Sequence, residues 1–131
     1  MKKEIERKFL VKCDLFEEFS IEKKYILQVY LNNDPNRTVR VRIISKVGFL
    51  SIEGRSNKKG TSRLEWEEFI PKSKAKSLLE LAMDIPIEKI RCIIPYGFLT
   101  IEVDEFLSHK KGLVLAEIEL PMENTPFKKP D

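Results

Sequence analysis

Apolar and charged residues alternate with a period of two along most of this chain. In residues 38–44, for example, the valines fall on one face while Arg40 and Arg42 fall on the other. Successive side chains of a strand point to opposite faces, so this spacing predicts β-strands with one polar face. The β-branched and aromatic residues of 25–31 predict a further strand. The alternating segments are 4–11, 38–44, 49–54, 62–70, 88–94, 98–106 and 113–121.

One segment switches to helical spacing. Residues 72–84 place apolar side chains at i, i+3, i+4 and i+7, which predicts an amphipathic helix bracketed by Pro71 and Pro86. A short helix or turn is predicted at 14–19. Gly48 is predicted to separate the strands on either side of it, as in a hairpin. The apolar positions of the long helix are Ala75, Leu78, Leu79 and Ala82.

The composition bounds the class of protein. At 131 residues the chain is long enough for one domain with a core of its own. Cys13 and Cys92 lack the spacing of a redox or zinc motif, so both are predicted to be reduced and structural. The N-terminus has no apolar signal-peptide core, and no stretch approaches the roughly 20 apolar residues of a membrane span. We therefore expect a cytoplasmic protein without a membrane partner.

The charged side chains on the polar faces of the strands are the candidate functional residues. A single alternating strand is typical of any half-exposed sheet, but here the polar positions are nearly all carboxylates or Arg and Lys. Two carboxylates two residues apart can hold one divalent cation, and oxygen ligands suit Mg²⁺ or Mn²⁺. Paired Arg and Lys suit the oxygens of a polyphosphate. Facing each other across a closed sheet, these charges would line a water-filled interior, with the apolar faces turned outward against the helix at 72–84.

The net charge of +3 gives no case for nucleic acid as a partner. The acidic residues share the register of the basic residues and would repel a phosphate backbone unless metal ions intervened.

Six motifs occur in order along the chain. They are E-I-E-R-K at 4–8, R-T-V-R-V-R at 37–42, S-R-L-E-W-E at 62–67, E-K-I-R at 88–91, P-Y-G-x-L-T-x-E-V-D at 95–104 and A-E-I-E-L-P at 116–121. Together they resemble the CYTH superfamily, the triphosphate tunnel metalloenzymes, and are most similar to its short bacterial inorganic tripolyphosphatases. The resemblance covers residues 1–131 as a single CYTH domain. It implies an α+β fold, an eight-stranded antiparallel closed β-barrel with a charged interior and helices packed outside.

The resemblance implies metal-dependent hydrolysis of a triphosphate-containing small molecule, most similar to the cleavage of inorganic tripolyphosphate into diphosphate and phosphate. It implies one or two Mg²⁺ or Mn²⁺ ions and a monomer or homodimer. It assigns catalytic roles to Glu65, Glu67 and Lys8, phosphate binding to Lys8, Arg40, Arg42, Lys89 and Arg91, and metal coordination to Glu4, Glu6, Glu102, Asp104, Glu117 and Glu119.

Two features depart from the family pattern. Where relatives carry L-T-I-K-G this chain has L-S-I-E-G, so Glu53 stands where an inward cation is expected, and Arg55, Lys58 or Lys59 are candidates to replace that cation. The sequence also stops at residue 131, where the resemblance places a C-terminal helix packed at one tunnel mouth, so we expect either that the tunnel is open there or that the last segment is absent from this chain. The alternatives are a class IV-type adenylate cyclase, a nucleoside or thiamine triphosphatase, and a catalytically weak polyphosphate- or nucleotide-binding protein.

Overall fold

A computed structural model describes residues 2–11, 16–58, 62–108 and 111–121. All eight predicted strands and the predicted helix at 72–84 fall in these ranges, whereas residues 14 and 15 of the predicted helix or turn at 14–19 lie outside them. Cys13, Lys59 and residues 122–131 lie outside them. The strands are β1 (Lys2–Leu10), β2 (Glu22–Tyr30), β3 (Arg37–Ile44), β4 (Val47–Gly54), β5 (Ser62–Pro71), β6 (Ile87–Tyr96), β7 (Leu99–Phe106) and β8 (Val114–Glu119), and the helices are α1 (Phe16–Phe19) and α2 (Lys72–Leu78).

The eight strands form a closed antiparallel barrel in the order β1-β5-β4-β3-β2-β6-β7-β8. Strand β1 closes the barrel, because it pairs with β5 through its first half and with β8 through its second half. Closure satisfies the backbone groups that an edge strand would expose. The predicted closed, eight-stranded α+β barrel is therefore confirmed.

The apolar core lies on the outside of the barrel wall. One cluster covers the outer face of β1, β6, β7 and β8 and includes Cys92, a reduced and buried thiol. A second cluster joins Val29 and Val41 to helix α2, where Ala75 is fully buried. With apolar side chains turned outward onto the helix, the alternating charged positions turn inward.

Gly48 does not separate two strands, so that prediction was wrong. The β3–β4 turn lies at Ser45 and Lys46, where Ser45 has a φ of 56°. Gly48 lies inside β4, and a Cβ atom there would come within 2.8 Å of the Ala75 Cβ and of the Ile70 carbonyl oxygen. The glycine is required because α2 lies directly against the strand, not because the chain must turn.

Helix α2 is shorter than the predicted 72–84, since it ends at Leu78 and continues as a 3₁₀ turn over Leu79–Leu81. The backbone is extended at Ala82. None of the helices among the described residues has the length and apolar character needed to cross a membrane.

Candidate active site

A cavity of about 570 Å³ runs through the barrel. Every residue to which the resemblance assigned a role lines it, and these residues come from six of the strands. Eight carboxylates and six cationic side chains line this tunnel among the described residues. The carboxylates are Glu4, Glu6, Glu65, Glu67, Glu102, Asp104, Glu117 and Glu119, and the cations are Lys8, Arg40, Arg42, Arg63, Lys89 and Arg91.

Asp104 holds two of the cations on one wall. Its two carboxylate oxygens accept hydrogen bonds from Arg91, from Nε at 2.7 Å and from Nη2 at 2.9 Å. Lys89 Nζ lies 2.8 Å from the same carboxylate. Both oxygens of Asp104 are thus occupied by cations, so this carboxylate neutralises and orients Arg91 and Lys89. Glu102 adds a longer contact of 3.3 Å to Arg91 Nη1.

These contacts, together with burial, shift the pKa values of the charged side chains on this wall. Burial works to raise the pKa of Asp104, but Arg91 and Lys89 outweigh it and hold that pKa below its usual range. Burial raises the pKa of Glu102 despite the opposing charge of Arg91. Burial also lowers the pKa of Lys89, and Asp104 only partly offsets it. A phosphate oxygen placed beside Lys89 and Arg91 would restore the solvation that burial removes.

Arg42 and Arg40 extend the cationic wall onto β3. Arg42 Nη2 donates a hydrogen bond of 2.6 Å to Glu67, whose same oxygen also accepts from the Ser51 hydroxyl at 2.9 Å. The Nε atoms of Arg40 and Arg42 are buried and have no hydrogen-bond partner among the described residues. The recorded contacts of both side chains are made by their Nη2 atoms, from Arg40 to Glu53 and Glu65 and from Arg42 to Glu67.

Carboxylates dominate the opposite wall, formed by β1, β5 and β8. Glu4 is hydrogen-bonded to Glu65 and to Glu6, and Glu6 to Glu117. Burial, together with the hydrogen bond and charge of Glu117, raises the pKa of Glu6 to about 9. Burial and the hydrogen bond with Glu4 raise the pKa of Glu65 to about 7. Carboxylates this close share protons because they cannot all be ionised without a counter-ion.

The same wall fits a divalent cation. Carboxylate oxygens of Glu4, Glu53 and Glu65 come within 4.8 Å of one another, and an all-oxygen donor set suits Mg²⁺ or Mn²⁺. Glu53 is the weakest member of this group as a ligand, because arginines contact both of its oxygens. Glu4 and Glu65, with the adjoining Glu6 and Glu117, are therefore the residues that fit the ion.

Lys8 and Glu119 occupy more exposed positions on the tunnel wall. The Lys8 side chain is 56% exposed, and its Nζ lies 3.6 Å from Glu6 Oε1. Glu119 pairs with Glu6 in the β1–β8 register and is exposed. Both residues can therefore reach a ligand that enters from solvent.

Sequence reasoning missed three polar residues that line the tunnel, Gln28, Tyr30 and Arg63. Gln28 and Tyr30 lie in the apolar segment of β2, where no charge marked the inward face. Gln28 is buried, and its Oε1 has no hydrogen-bond partner among the described residues. Arg63 precedes Glu65 and Glu67 in the same alternating register, so its spacing was a usable signal.

Glu53 faces inward, as its register predicted, but Arg55 and Lys58, two of the three proposed replacement cations, do not line the tunnel, and Lys59 lies outside the described residues. Arg55 and Lys58 are exposed. Arg63 contacts Glu53 instead, with its Nε 2.7 Å from Oε2, and Arg40 Nη2 lies 3.4 Å from Oε1.

A closed eight-stranded barrel with this interior has the architecture of the triphosphate tunnel structures. A family model for the CYTH domain matches residues 2–131, so the chain belongs to the CYTH family. The inorganic triphosphatase of Acetivibrio thermocellus is 46% identical over 132 aligned residues, which cover 100% of this chain and 83% of that protein.

Solved structures agree with this assignment. The crystal structure of an inorganic triphosphatase matches with a TM-score of 0.62 and 25% identity, over 96% of this chain and 83% of that chain. A candidate adenylyl cyclase from Hippeastrum, described as having a dominant triphosphatase activity, matches with a TM-score of 0.67 and 18% identity, over 93% of this chain and 80% of its own. At that identity the second match shows the fold alone.

Proposed function

We propose that this chain is an inorganic triphosphatase that cleaves inorganic triphosphate into diphosphate and phosphate with Mg²⁺ or Mn²⁺. The observation that carries the proposal is a tunnel with buried cations on one wall and proton-sharing carboxylates on the other. The full-length similarity to an inorganic triphosphatase supports the same substrate. No base-binding element is needed for such a substrate, since all its recognisable atoms are phosphate oxygens.

In this proposal one wall binds the phosphate chain and the other binds the divalent cation. Arg40, Arg42, Lys89 and Arg91 bind the phosphate chain, and Asp104 keeps Arg91 and Lys89 in place. Glu4 and Glu65, with the adjoining Glu6 and Glu117, would hold the divalent cation, which would neutralise charge on the phosphate oxygens. Phosphoryl transfer depends mainly on positioning and charge stabilisation, so such a site needs no covalent nucleophile.

Glu65 lies beside Glu4 on the carboxylate wall. Burial and Glu4 raise its pKa to about 7, so without an ion it can hold a proton near neutral pH, and ion binding would ionise it. We assign to it the orientation of the attacking water, with Glu67 and Lys8 in support. Glu67 is fixed by Arg42 and Ser51, so it positions Arg42 more than it accepts protons.

Phosphate release from inorganic triphosphate, ATP and thiamine triphosphate tests the proposal, each measured with Mg²⁺ and with Mn²⁺. Inorganic triphosphate is expected to be cleaved fastest. Glu6→Gln should lose most of the activity, because it removes a carboxylate from the proposed ion-binding wall. Glu105→Gln is the matched control, since Glu105 follows Asp104 on the outer face of β7.

Three outcomes would contradict the proposal. Faster cleavage of ATP or thiamine triphosphate would assign a different triphosphate substrate. Formation of cyclic AMP from ATP would favour the cyclase alternative. Binding of triphosphate without any phosphate release would favour a binding protein.

A further inference from the structure

Glu53 is the most deeply buried acidic side chain of the tunnel wall, and no step of the proposed function uses it. It is 1% exposed and is not part of the surface that lines the cavity. A carboxylate at this depth needs counter-charges to compensate for lost hydration. The structure supplies two of them, Arg63 and Arg40, and both side chains do line the cavity.

Arg63 is accessible from the tunnel although it is paired with Glu53. Its Nε lies 2.7 Å from Glu53 Oε2, in an ion pair rather than an aligned hydrogen bond. The Arg63 side chain is 27% exposed and lines the cavity, so the tunnel contents can reach it. A guanidinium that is anchored by a carboxylate and still accessible is suited to bind a phosphate through its other N–H donors.

We infer that Arg63 is a further triphosphate-binding residue of this chain and that Glu53 is the residue that positions it. The inference rests on the proposed function and extends it to one residue pair. Glu53 lies where the resemblance places a lysine, and Arg63 supplies a cation to the same part of the tunnel. Glu53 also contacts Arg40, so one buried carboxylate orients two phosphate-binding arginines.

An alternative role for Glu53 is as a metal ligand beside Glu4 and Glu65, whose oxygens lie within 4.8 Å. The contacts to Arg63 and Arg40 oppose this role, because a cation bound at Glu53 would lie next to two guanidinium groups. The two roles make different predictions. A positioning residue affects triphosphate affinity through Arg63, whereas a ligand affects the affinity for the ion itself.

The test compares steady-state triphosphate cleavage by Arg63→Gln, Glu53→Gln and the double variant at saturating Mg²⁺. Arg63→Gln is expected to raise KM about tenfold or more, the cost of one hydrogen bond to a charged group, with a smaller change in kcat. Arg63→Lys should recover part of the loss. Glu53→Gln should raise KM in the wild-type background and have a smaller effect once Arg63 is Gln, with the remainder acting through Arg40. Arg55→Gln is the control and should leave KM unchanged, since Arg55 lies outside the tunnel lining.

The same set of variants includes a control for misfolding. Each single variant leaves a buried charge with fewer partners, whereas the double variant removes one charge of each sign. If a single variant does not fold, as judged by circular dichroism, Arg63→Lys and the double variant still measure the KM change. Calorimetric titration of wild type and Glu53→Gln with Mn²⁺ alone separates the positioning role from the ligand role.

The possible results distinguish the roles of Arg63 and Glu53 from the proposed function. Unchanged KM in Arg63→Gln, beside an active wild type, would overturn the inference and leave the proposed function intact. Multiplicative KM effects in the double variant would show that Glu53 does not act through Arg63. A tenfold loss of Mn²⁺ affinity in Glu53→Gln, with unchanged KM for triphosphate, would make Glu53 a metal ligand. A wild type that neither cleaves nor binds triphosphate would overturn both proposals.

Discussion

Replacing Asp104 by Asn tests how the tunnel keeps its cations buried. The substitution preserves the shape of the side chain and removes one negative charge. In the wild type this carboxylate is 3% exposed and accepts contacts of 2.7 and 2.9 Å from Arg91 and 2.8 Å from Lys89. The variant leaves two buried cations with one fewer counter-charge, and Asn also turns an amide donor toward them.

The size of the effect follows from this burial. Breaking a buried ion pair by removing one partner costs about 3–5 kcal/mol, because the remaining charge stays buried without compensation. Asn can still accept one hydrogen bond, and Glu102 remains 3.3 Å from Arg91, so we expect a loss of about 3 kcal/mol. That is a large part of the roughly 5–15 kcal/mol that stabilises a typical domain.

Urea denaturation of the ligand-free protein, monitored by circular dichroism, measures this loss of stability. Urea is preferred over guanidinium, which would add ionic strength and screen the pair under test. Glu105→Gln removes the same charge from the outer face of β7 and should cost less than about 0.5 kcal/mol. A loss in Asp104→Asn no larger than in this control would refute the reasoning and show that water solvates Lys89 and Arg91 adequately.

Three further predictions concern protons and packing. The pKa of Glu6 is raised to about 9 from 4.5, so the stability due to its proton is fully present below pH 4.5 and is lost as pH rises toward 9. The free energy of unfolding of the metal-free protein should therefore fall between pH 6 and 9, by up to about 1.4 kcal/mol per pH unit for each proton. In Glu6→Gln the urea midpoint should depend less on pH than it does in the wild type. Mn²⁺ added in weak buffer at pH 6 should release protons from Glu6 and Glu65, and a titration without acidification would contradict their sharing of protons. Gly48→Ala should destabilise the protein by about 1–3 kcal/mol because its Cβ would overlap Ala75 and Ile70, while Gly54→Ala, with its nearest atom at 3.7 Å, serves as the urea-denaturation control.

The alternating pattern predicted which side chains face inward because a strand has only two faces. Arg40 and Arg42 on β3, and Glu65 and Glu67 on β5, all line the tunnel as their spacing required. Gly48 shows where such local reasoning fails. Its role depends on the approach of α2 to β4, a tertiary contact that no pattern within residues 38–54 contains.

The sequence also did not predict which charged side chains contact each other inside the tunnel. The resemblance placed Asp104 among the metal ligands, yet its oxygens contact Arg91 and Lys89. Arg91 and Asp104 face each other because of the β6–β7 register, in which their Cα atoms are partners. Register is fixed by pairing between strands, so spacing along one strand cannot reveal it. The contact of Arg63 with Glu53, between β5 and β4, was hidden for the same reason.

The charge balance of the tunnel explains why a divalent cation belongs to its function. Eight carboxylates against six cations leave an excess of negative charge on the described lining, and buried Glu53 adds to it. A triphosphate is itself strongly anionic, so ionised carboxylates oppose its binding in this interior. Protons on Glu6 and Glu65 relieve part of the excess, and under the proposed function a divalent cation would replace them. The proposed function therefore implies that the ion and the triphosphate bind in a mutually dependent way, because each supplies the charge that the other requires.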